Sequence, residues 1–300
     1  MLAHNNPPPS LSRWSKAFAL QCTATLCATN QRMYASSMPA PSPVYTPENT
    51  TCAFQLLYSV AVFWKSPCPG DLWLPELQTQ CESSQLRILK HRFSTATCSL
   101  FLVSTRPNIA ATEVVRGIKG RLQTLVRSGR PNAFQRNYDI HSIGSTTREK
   151  TENYVAGQLQ HHAIDSDQIW DYRLNDLQLI NPDVDLGRYR LTSHGRYRCN
   201  LHIALRFRES NLPLSSGPLE RVRTVVRKTA DRRHLLLSRL GLVSNHLHLV
   251  VGIPAIRDPG SVALSFMNNI AWVFGMKPVL WHSFYVGTIG EYDIGAIQNP

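Results

Sequence analysis

The stretch Asn137-Tyr-Asp-Ile-His-Ser-Ile-Gly144 aligns without gaps on Ser283-Phe-Tyr-Val-Gly-Thr-Ile-Gly290, in the second half of the same 300-residue chain. Each stretch is a short run of β-type residues that ends in glycine, which is typical of a strand that leads into a turn. Two such passages in one chain indicate an internal repeat, and this repeat determines the predicted fold.

The segments upstream of both stretches also match in kind and order. Each repeat is predicted to contain an opening strand, a helix, an inner pair of strands, a second helix and the closing strand. The matching segments are the opening strands Phe54–Trp64 and Arg198–Phe207, the inner strands Leu100–Ser104 and Leu247–Gly252, and the second helices Ala111–Arg127 and Gly260–Gly275. This order predicts an α+β sandwich with helices on one face of an antiparallel sheet. The predicted domains are repeat 1 at 46–164, a linker at 165–195 and repeat 2 at 196–300.

Composition restricts the class of protein. Residues 1–45 are rich in Pro, Ser, Ala, Asn and Thr, which predicts a disordered tail or residues upstream of the true start. Seven cysteines without a CxxC pair favour a reducing cytoplasm, and no apolar run approaches the roughly 18 residues of a membrane span. A net charge of +12 favours nucleic acid as the partner, with a solvated basic surface as the alternative. We therefore expect a cytoplasmic, nucleoid-associated protein without a membrane partner.

Two histidines are the first candidate site residues. His246 and His248 lie two residues apart in the apolar run Asn245–Val251. In a strand, side chains at this spacing project from the same face, so both imidazoles can reach one metal ion. Taken alone, such a pair is more often two satisfied surface histidines than a metal site.

A tyrosine and a glutamine are the second candidates. Thr147 is a suitable N-cap for a helix that would carry Tyr154 and Gln158 four residues apart, on one face. Taken alone, this pair is typical of an amphipathic surface helix.

Together the two motifs resemble the active site of the single-tyrosine HUH transposases, of the insertion-sequence 200/605 kind and their repeat-associated relatives. In that family a His-hydrophobic-His strand and a downstream Tyr-x-x-x-Gln helix form the site. The surrounding phrases resemble the family as well, over about residues 50 to 295; they are Ser244–Val250, Ile118–Arg121, Ser142–Gly144 and Tyr285–Gly290.

The resemblance implies two tandem ferredoxin-like, HUH-type α/β sandwich repeats and a metal-dependent DNA transposase. Tyr154 would be the nucleophile that forms a covalent 5′-phosphotyrosine. His246, His248 and Gln158 would hold Mg²⁺ or Mn²⁺. The implied partner is single-stranded DNA with hairpins.

The sequence departs from the family because the two motifs are split between the repeats. Residues 96–102 of repeat 1 contain no histidine in any register. In repeat 2, the ten-residue interval from Gly144 to Tyr154, counted from Gly290, reaches Pro300, the last residue of the given sequence. The complementary losses predict a fused, monomeric pseudo-dimer in which Tyr154 and Gln158 of one repeat meet His246 and His248 of the other.

Further residues are candidates for binding DNA. The predicted phosphate contacts are Lys119, Arg121, Arg221, Arg223, Arg227 and Lys228. The candidate stacking groups are Trp272, Trp281 and Tyr285, although aromatic residues of this kind are more often part of the core. The remaining histidines are interpreted as ordinary; they include His161, His162, His194, His202 and His282. Two alternative functions stay open: a relaxase-like or replication-initiator-like nickase, and a catalytically inactive, transposase-derived protein that binds DNA hairpins.

Overall fold

Two six-stranded sheets organise the chain. The computed structural model describes residues 42–158, 177–208, 216–243 and 245–292. Its strands are rich in Val, Ile, Leu and aromatic residues, which suit a pleated, buried surface. Within the described residues the strands are β1 (Thr51–Gln55), β2 (Leu57–Trp64), β3 (Leu86–Thr95), β4 (Cys98–Thr105), β5 (Phe134–Ile143), β6 (Leu179–Ile180), β7 (Arg190–Thr192), β8 (Gly195–Arg198), β9 (Asn200–Phe207), β10 (Leu236–Leu242), β11 (His246–Gly252) and β12 (Leu280–Ile289).

Helices pack against both sheets, and one of the sheets has helices on both of its faces. They are α1 (Leu74–Glu82), α2 (Ala111–Val126), α3 (Arg148–Ala156), α4 (Ser216–Arg233) and α5 (Pro259–Val273). The helical spacing of Val114, Ile118 and Leu122 buries one side of α2 against the sheet, as the sequence predicts. The predicted α+β sandwich architecture is therefore confirmed. No helix in the described part of the chain is both long and apolar enough to span a membrane.

The strand order follows the repeat. Sheet 1 has the order β3-β4-β2-β5-β8-β7, and sheet 2 has the order β6-β10-β11-β9-β12-β1. In sheet 1 the closing strand β5 pairs antiparallel with β2, and in sheet 2 the closing strand β12 pairs antiparallel with β9. Leu57 lies opposite Ile143, and Asn200 lies opposite Ile289. Ile143 and Ile289 are thus equivalent, which is the register of the sequence alignment.

The opening strand of each repeat is shared between the sheets. A one-residue break at Leu56 separates β1 from β2, and a break at Cys199 separates β8 from β9. The strand β1 pairs in parallel with β12 of sheet 2, while β8 pairs in parallel with β5 of sheet 1. The sheets are therefore mixed rather than purely antiparallel, because each repeat lends the first part of its opening strand to the other sheet.

The Ser/Thr-Ile-Gly ends of the repeated stretches meet at the junction of the two sheets. The Ser142 hydroxyl donates to the Ile289 carbonyl (2.6 Å), and the Thr288 hydroxyl donates to the Ile143 carbonyl (2.5 Å). A Cβ on Gly144 would lie 2.5 Å from the Thr288 carbonyl oxygen, and one on Gly290 would collide with the Ser142 carbonyl oxygen. Glycine is needed at both ends because the two strand ends cross with their backbones in direct contact.

The exchange of strands connects the two repeats directly, because each sheet contains strands from both of them. The described residues form one compact unit. The part of the predicted linker that the structure describes supplies β6 and β7, one to each sheet, and residues 165–176 lie outside the described residues. Of the predicted tail, residues 1–41 lie outside as well, whereas Tyr45 is buried and donates its hydroxyl to the Leu280 carbonyl (3.0 Å).

Candidate active site

Helix α3 follows the closing strand of sheet 1 but packs on β10 and β11 of sheet 2. Thr147 caps its N-terminus by accepting a hydrogen bond from the Lys150 backbone N–H (3.3 Å), as the sequence predicts. Gly157 ends the helix, and Gln158 follows directly. Repeat 1 thereby carries its tyrosine helix onto the sheet of repeat 2.

Charged side chains anchor α3 on sheet 2. Arg148 donates from Nε to Glu291 (2.7 Å) and from a terminal nitrogen to Glu152 (2.6 Å). The other carboxylate oxygen of Glu152 accepts a hydrogen bond from the Ser238 hydroxyl of β10. Because Glu152 is almost fully buried, these partners compensate the loss of its hydration.

A glycine on β10 permits the close approach of the helix. A Cβ on Gly241 would lie 2.9 Å from the Val155 carbonyl oxygen and 3.3 Å from Gln158 Cβ. Val155 is buried in a small apolar cluster with Val250 and Ile289 of sheet 2. The absence of a side chain at position 241 therefore fixes the distance between α3 and the strand that pairs with the histidine strand.

Gln158 meets His246 across the two repeats. The Gln158 amide nitrogen lies 3.0 Å from His246 Nε2, and Gln158 is fully buried. His246 Nδ1 lies 2.6 Å from the side-chain oxygen of Asn245. Because an amide oxygen can only accept, Nδ1 carries the proton and Nε2 presents its lone pair toward Gln158.

Tyr154 meets the second histidine. Its ring packs edge-on against the His248 ring, with the ring centroids 5.7 Å apart, and 43% of the residue is exposed. The rings of His246 and His248 are also perpendicular, with centroids 4.9 Å apart. The structure thus brings together Tyr154, Gln158, His246 and His248, which are the four residues that the sequence singles out.

His202, which the sequence analysis treats as ordinary, is part of this cluster. Its Nε2 lies 2.8 Å from His248 Nδ1, and the two rings stack with centroids 5.0 Å apart. Burial lowers the pKa of His202 to about 4, so the ring is neutral at physiological pH. A neutral His202 can accept a hydrogen bond from the Nδ1–H of His248, which leaves the lone pair of His248 on Nε2.

The donor atoms have a spacing that suits a divalent ion. Adjacent ligands of an octahedral ion at about 2.0–2.1 Å are about 2.8–3.0 Å apart, which matches the 3.0 Å between Gln158 Nε2 and His246 Nε2. Rotating the amide by a half-turn about its terminal bond would replace its nitrogen with its oxygen. Among the described residues, no group of three or more His, Cys, Asp or Glu has an arrangement that could hold a metal ion. A divalent ion at this place would therefore need the amide oxygen as a ligand.

Repeat 1 lacks the equivalent of the histidine pair. Leu100 lies opposite Ala61, as His248 lies opposite Ala204, and the same register makes Cys98 equivalent to His246. The strand register thereby identifies Leu100 and Cys98 as the counterparts of the two histidines, which the sequence alone does not do. Sheet 1 has no metal ligand pair at these positions.

Two of the predicted DNA-binding residues have structural partners instead. Lys119 Nζ donates to the backbone carbonyls of Gln135 (2.7 Å) and Arg136 (3.1 Å). Burial lowers the pKa of Lys119. Arg121 donates to the Gly117 carbonyl (3.1 Å) and to the Ser84 hydroxyl. These contacts favour a structural role for both side chains.

The basic helix α4 lies on the face of sheet 2 opposite to α3. Its apolar side packs on the face formed by Leu247, Leu249 and Val251. Of its predicted contact residues, Arg221, Arg227 and Lys228 are exposed and Arg223 is half-buried. With Trp272 of α5, which is 65% exposed, Lys228 lines a cleft of about 470 Å³.

Other side chains border the histidines directly. Arg206 lies opposite His246 in the sheet register, is exposed, and stands 5.9 Å from the Trp281 ring centroid. Tyr285, a predicted stacking group, is half-buried and packs edge-on against His202, with centroids 5.8 Å apart. Residues 161 and 162 lie outside the described residues, and His282 contacts the Tyr45 ring.

The similarity of this chain to known proteins is low. No family model and no curated protein matches the chain. Among 27 matching chains of solved structures, one is a REP-associated tyrosine transposase bound to a REP hairpin. It has 14% identity over 37% of this chain and 64% of that chain, less than two thirds of its length, with a TM-score of 0.29. Another is an unknown protein from Galdieria sulphuraria, with 9% identity over 78% of this chain and 97% of that chain and a TM-score of 0.19. TM-scores this low do not establish a common fold, and a functional proposal must rest on the geometry of the site.

Proposed function

We propose that this chain is a metal-dependent, single-tyrosine DNA transposase that cleaves and rejoins single-stranded DNA at one composite site. The observation that carries the proposal is the meeting of Gln158 with His246 at 3.0 Å and of Tyr154 with His248, across 88 and 94 residues of sequence. A surface tyrosine helix and an unrelated pair of surface histidines have no reason to converge from two different repeats.

His246 Nε2, His248 Nε2 and the Gln158 carbonyl oxygen are the atoms that would hold Mg²⁺ or Mn²⁺. A bound ion would polarise the scissile phosphate and offset its negative charge. Asn245 and His202 fix the protonated nitrogen of each imidazole, so that the opposite nitrogen is available as a ligand.

Tyr154 is the proposed nucleophile. Its phenolic oxygen forms a bond to phosphorus while the bond from phosphorus to the 3′-oxygen breaks. The phenol loses one proton, and the departing 3′-oxygen gains one, so the step is balanced and leaves a 5′-phosphotyrosine with a free 3′-hydroxyl. A second 3′-hydroxyl can reverse the step without a nucleotide cofactor, because the phosphodiester energy is retained in the covalent bond.

The surroundings of the site suit a single strand. Arg206 is an exposed cation beside His246, and the neighbouring Trp281 is 46% exposed. A guanidinium can contact a phosphate while an exposed indole stacks on a base. The exposed cations of α4 are further candidates for phosphate contacts, on the opposite face of sheet 2.

The test is covalent trapping. The purified protein is incubated with labelled single-stranded hairpin DNA and Mn²⁺, and an adduct that survives denaturation is measured. We expect the adduct in the wild type and in the matched control Tyr138→Phe, whose hydroxyl contacts Thr192 in sheet 1. We expect none in Tyr154→Phe or His246→Ala.

Two results would overturn the proposal. An adduct that persists in Tyr154→Phe would identify another nucleophile. Tight binding of hairpins without an adduct, across varied sequences and metals, would favour the inactive DNA-binding protein.

A further inference from the structure

A second pocket lies on sheet 1, on the face that is not covered by α1 and α2. Its volume is about 230 Å³, and its lining includes Ser59, Lys90, Arg92, Leu100 and Leu102. Tyr292, which is 61% exposed, also lines it. Typical small-molecule sites measure roughly 300–1,000 Å³, so this pocket suits one planar group rather than a whole ligand.

The pocket is the counterpart of the composite site under the relation between the repeats. The register makes Ser59 equivalent to His202, and Leu100 equivalent to His248. Its floor continues into a small apolar cluster of Leu57, Leu102 and Ile143. At the positions of His202 and His248, sheet 1 therefore has a hydroxyl and an apolar side chain, and the histidines that line its pocket, His91 and His141, lie at other positions.

A helix cannot dock on this pocket as α3 docks on sheet 2. Arg92 lies opposite Leu100, as Gly241 lies opposite His248, so Arg92 occupies the glycine position. At that position in sheet 2 even a Cβ would lie 2.9 Å from the Val155 carbonyl oxygen. An arginine side chain there keeps the sheet face open to solvent and supplies a positive charge.

The charge of the pocket selects an anion. Lys90 and Arg92 are both exposed, and none of the described lining residues is acidic. The carboxylate of Asp139, which lies 3.7 Å from the lining residue His141, accepts a hydrogen bond from Arg196 (2.6 Å), which offsets its charge. An apolar floor, an exposed tyrosine ring and two cations together fit a nucleobase and the phosphates on either side of it.

We propose that this pocket is a former active site that now binds single-stranded nucleic acid without cleaving it. One base enters the pocket against Leu100, Leu102 and the Tyr292 ring, and Lys90 and Arg92 contact the adjacent phosphates. The proposal rests on the proposed function in taking single-stranded DNA as the ligand and in treating the equivalent site on sheet 2 as an active site. The pocket would hold a second strand, or a distal part of the same strand, while Tyr154 acts on the first.

The first test measures binding as a function of salt, with single-stranded DNA, EDTA and the Tyr154→Phe background to prevent cleavage. Each phosphate contact contributes about 0.7 to the slope of log affinity against log salt. The double variant Lys90→Gln/Arg92→Gln should therefore lower the slope by about 1.4 and weaken binding by roughly 25-fold at 0.1 M salt. The matched control Arg116→Gln/Arg127→Gln removes the same charge from exposed positions on and next to α2, on the opposite face, and should lower the slope by much less.

The second test locates the strand. DNA containing 5-iodouracil is photo-crosslinked, and the modified peptides are identified by mass spectrometry. Crosslinks to residues 86–105 or to Tyr292, lost in the double variant, would support the proposal. Crosslinks confined to the neighbourhood of His246, or equal slopes in the two double variants, would overturn it. Since neither test requires cleavage, failure here is distinguishable from failure to form the Tyr154 adduct.

Discussion

Gly241→Ala tests whether the docking distance of α3 sets the activity. The added Cβ would lie 2.9 Å from the Val155 carbonyl oxygen, 3.1 Å from Val155 Cγ1 and 3.3 Å from Gln158 Cβ. Ordinary carbon contacts are about 3.5–4.0 Å, so α3 and Gln158 must retreat by about 0.5 Å. The backbone at Gly241 does not have a positive φ, so the strain arises from the contact alone.

Gly241→Ala should change the free energy of unfolding and the rate of adduct formation by different amounts. Overpacking of this kind costs about 1–3 kcal/mol in the free energy of unfolding. A 1 Å displacement at a catalytic site costs about 100-fold in rate, so 0.5 Å should slow adduct formation by about tenfold. The assay is the initial rate of Tyr154 adduct formation at 25 °C, with the unfolding free energy of the same preparation measured by urea denaturation.

Gly120→Ala is the matched control, because a Cβ at Gly120 meets no atom within 4 Å. In the interior of α2 it should leave the adduct rate unchanged and stabilise the protein by about 0.4–1 kcal/mol. If Gly241→Ala lost stability while its adduct rate stayed within twofold of the wild type, the position of Gln158 would not limit catalysis, and the reasoning would be refuted.

Three further perturbations test the charges and the histidines. The pKa of Asp139 is raised by burial but lowered by more through hydrogen bonds and charges of His141 and Arg196, so the net shift is downward. A depressed carboxyl pKa stabilises the fold above about pH 4, and this contribution is lost as the pH falls through the folded-state pKa. Asp139→Asn should therefore be less stable than the wild type at pH 7, with a difference that shrinks below about pH 4 in urea titrations; a pH-independent difference would contradict the assignment. Arg148→Ala removes the guanidinium that donates to the carboxylates of Glu291 and Glu152, which should lower the stability of the docked helix by roughly 1–3 kcal/mol. Amide hydrogen exchange in α3 should therefore become tenfold faster or more, while exchange in β4 should be unaffected. His202→Ala should weaken Mn²⁺ binding by about 10–100-fold in calorimetry, and an unchanged affinity would exclude His202 as an orienting group.

Much of this arrangement can be predicted from sequence because the alignment of the two repeats also gives the equivalence of their strand positions. The gapless alignment that ends at Gly144 and Gly290 equates Ile143 with Ile289, and the strand pairing has the same equivalence. The N-cap at Thr147 is also predictable, since a capping hydroxyl depends on local sequence. The convergence of Tyr154 on His248 follows from the complementary loss of the two motifs, although their chemical roles remain predictions.

Other features depend on long-range pairing and could not be predicted. The breaks at Leu56 and Cys199 fall inside runs that contain neither Gly nor Pro, and nothing local marks the point where a strand changes sheets. His202 reads as an ordinary strand residue until its pairing brings it to 2.8 Å from His248. His202 lies on the same face of its strand as Ala204 and Arg206, which pair with His248 and His246. This spacing indicates a place beside the histidines only when the register between β9 and β11 is known.

The difference between Gly241 and Arg92 shows how two repeats in one chain can have different residues at equivalent positions, so that a helix docks on one sheet only. In a symmetric homodimer each substitution occurs in both subunits, so an arginine at the glycine position would separate the tyrosine helix from the sheet at both sites. In this chain the equivalent positions are encoded separately, and Arg92 affects only the face of sheet 1. Strand exchange through β1 and β8 holds the two halves together, so that one half can lack the histidine pair while its helix α3 still places Tyr154 on the other. Replacing Arg92 with glycine should therefore leave the Tyr154 adduct intact, whereas the reciprocal Gly241→Arg should abolish it.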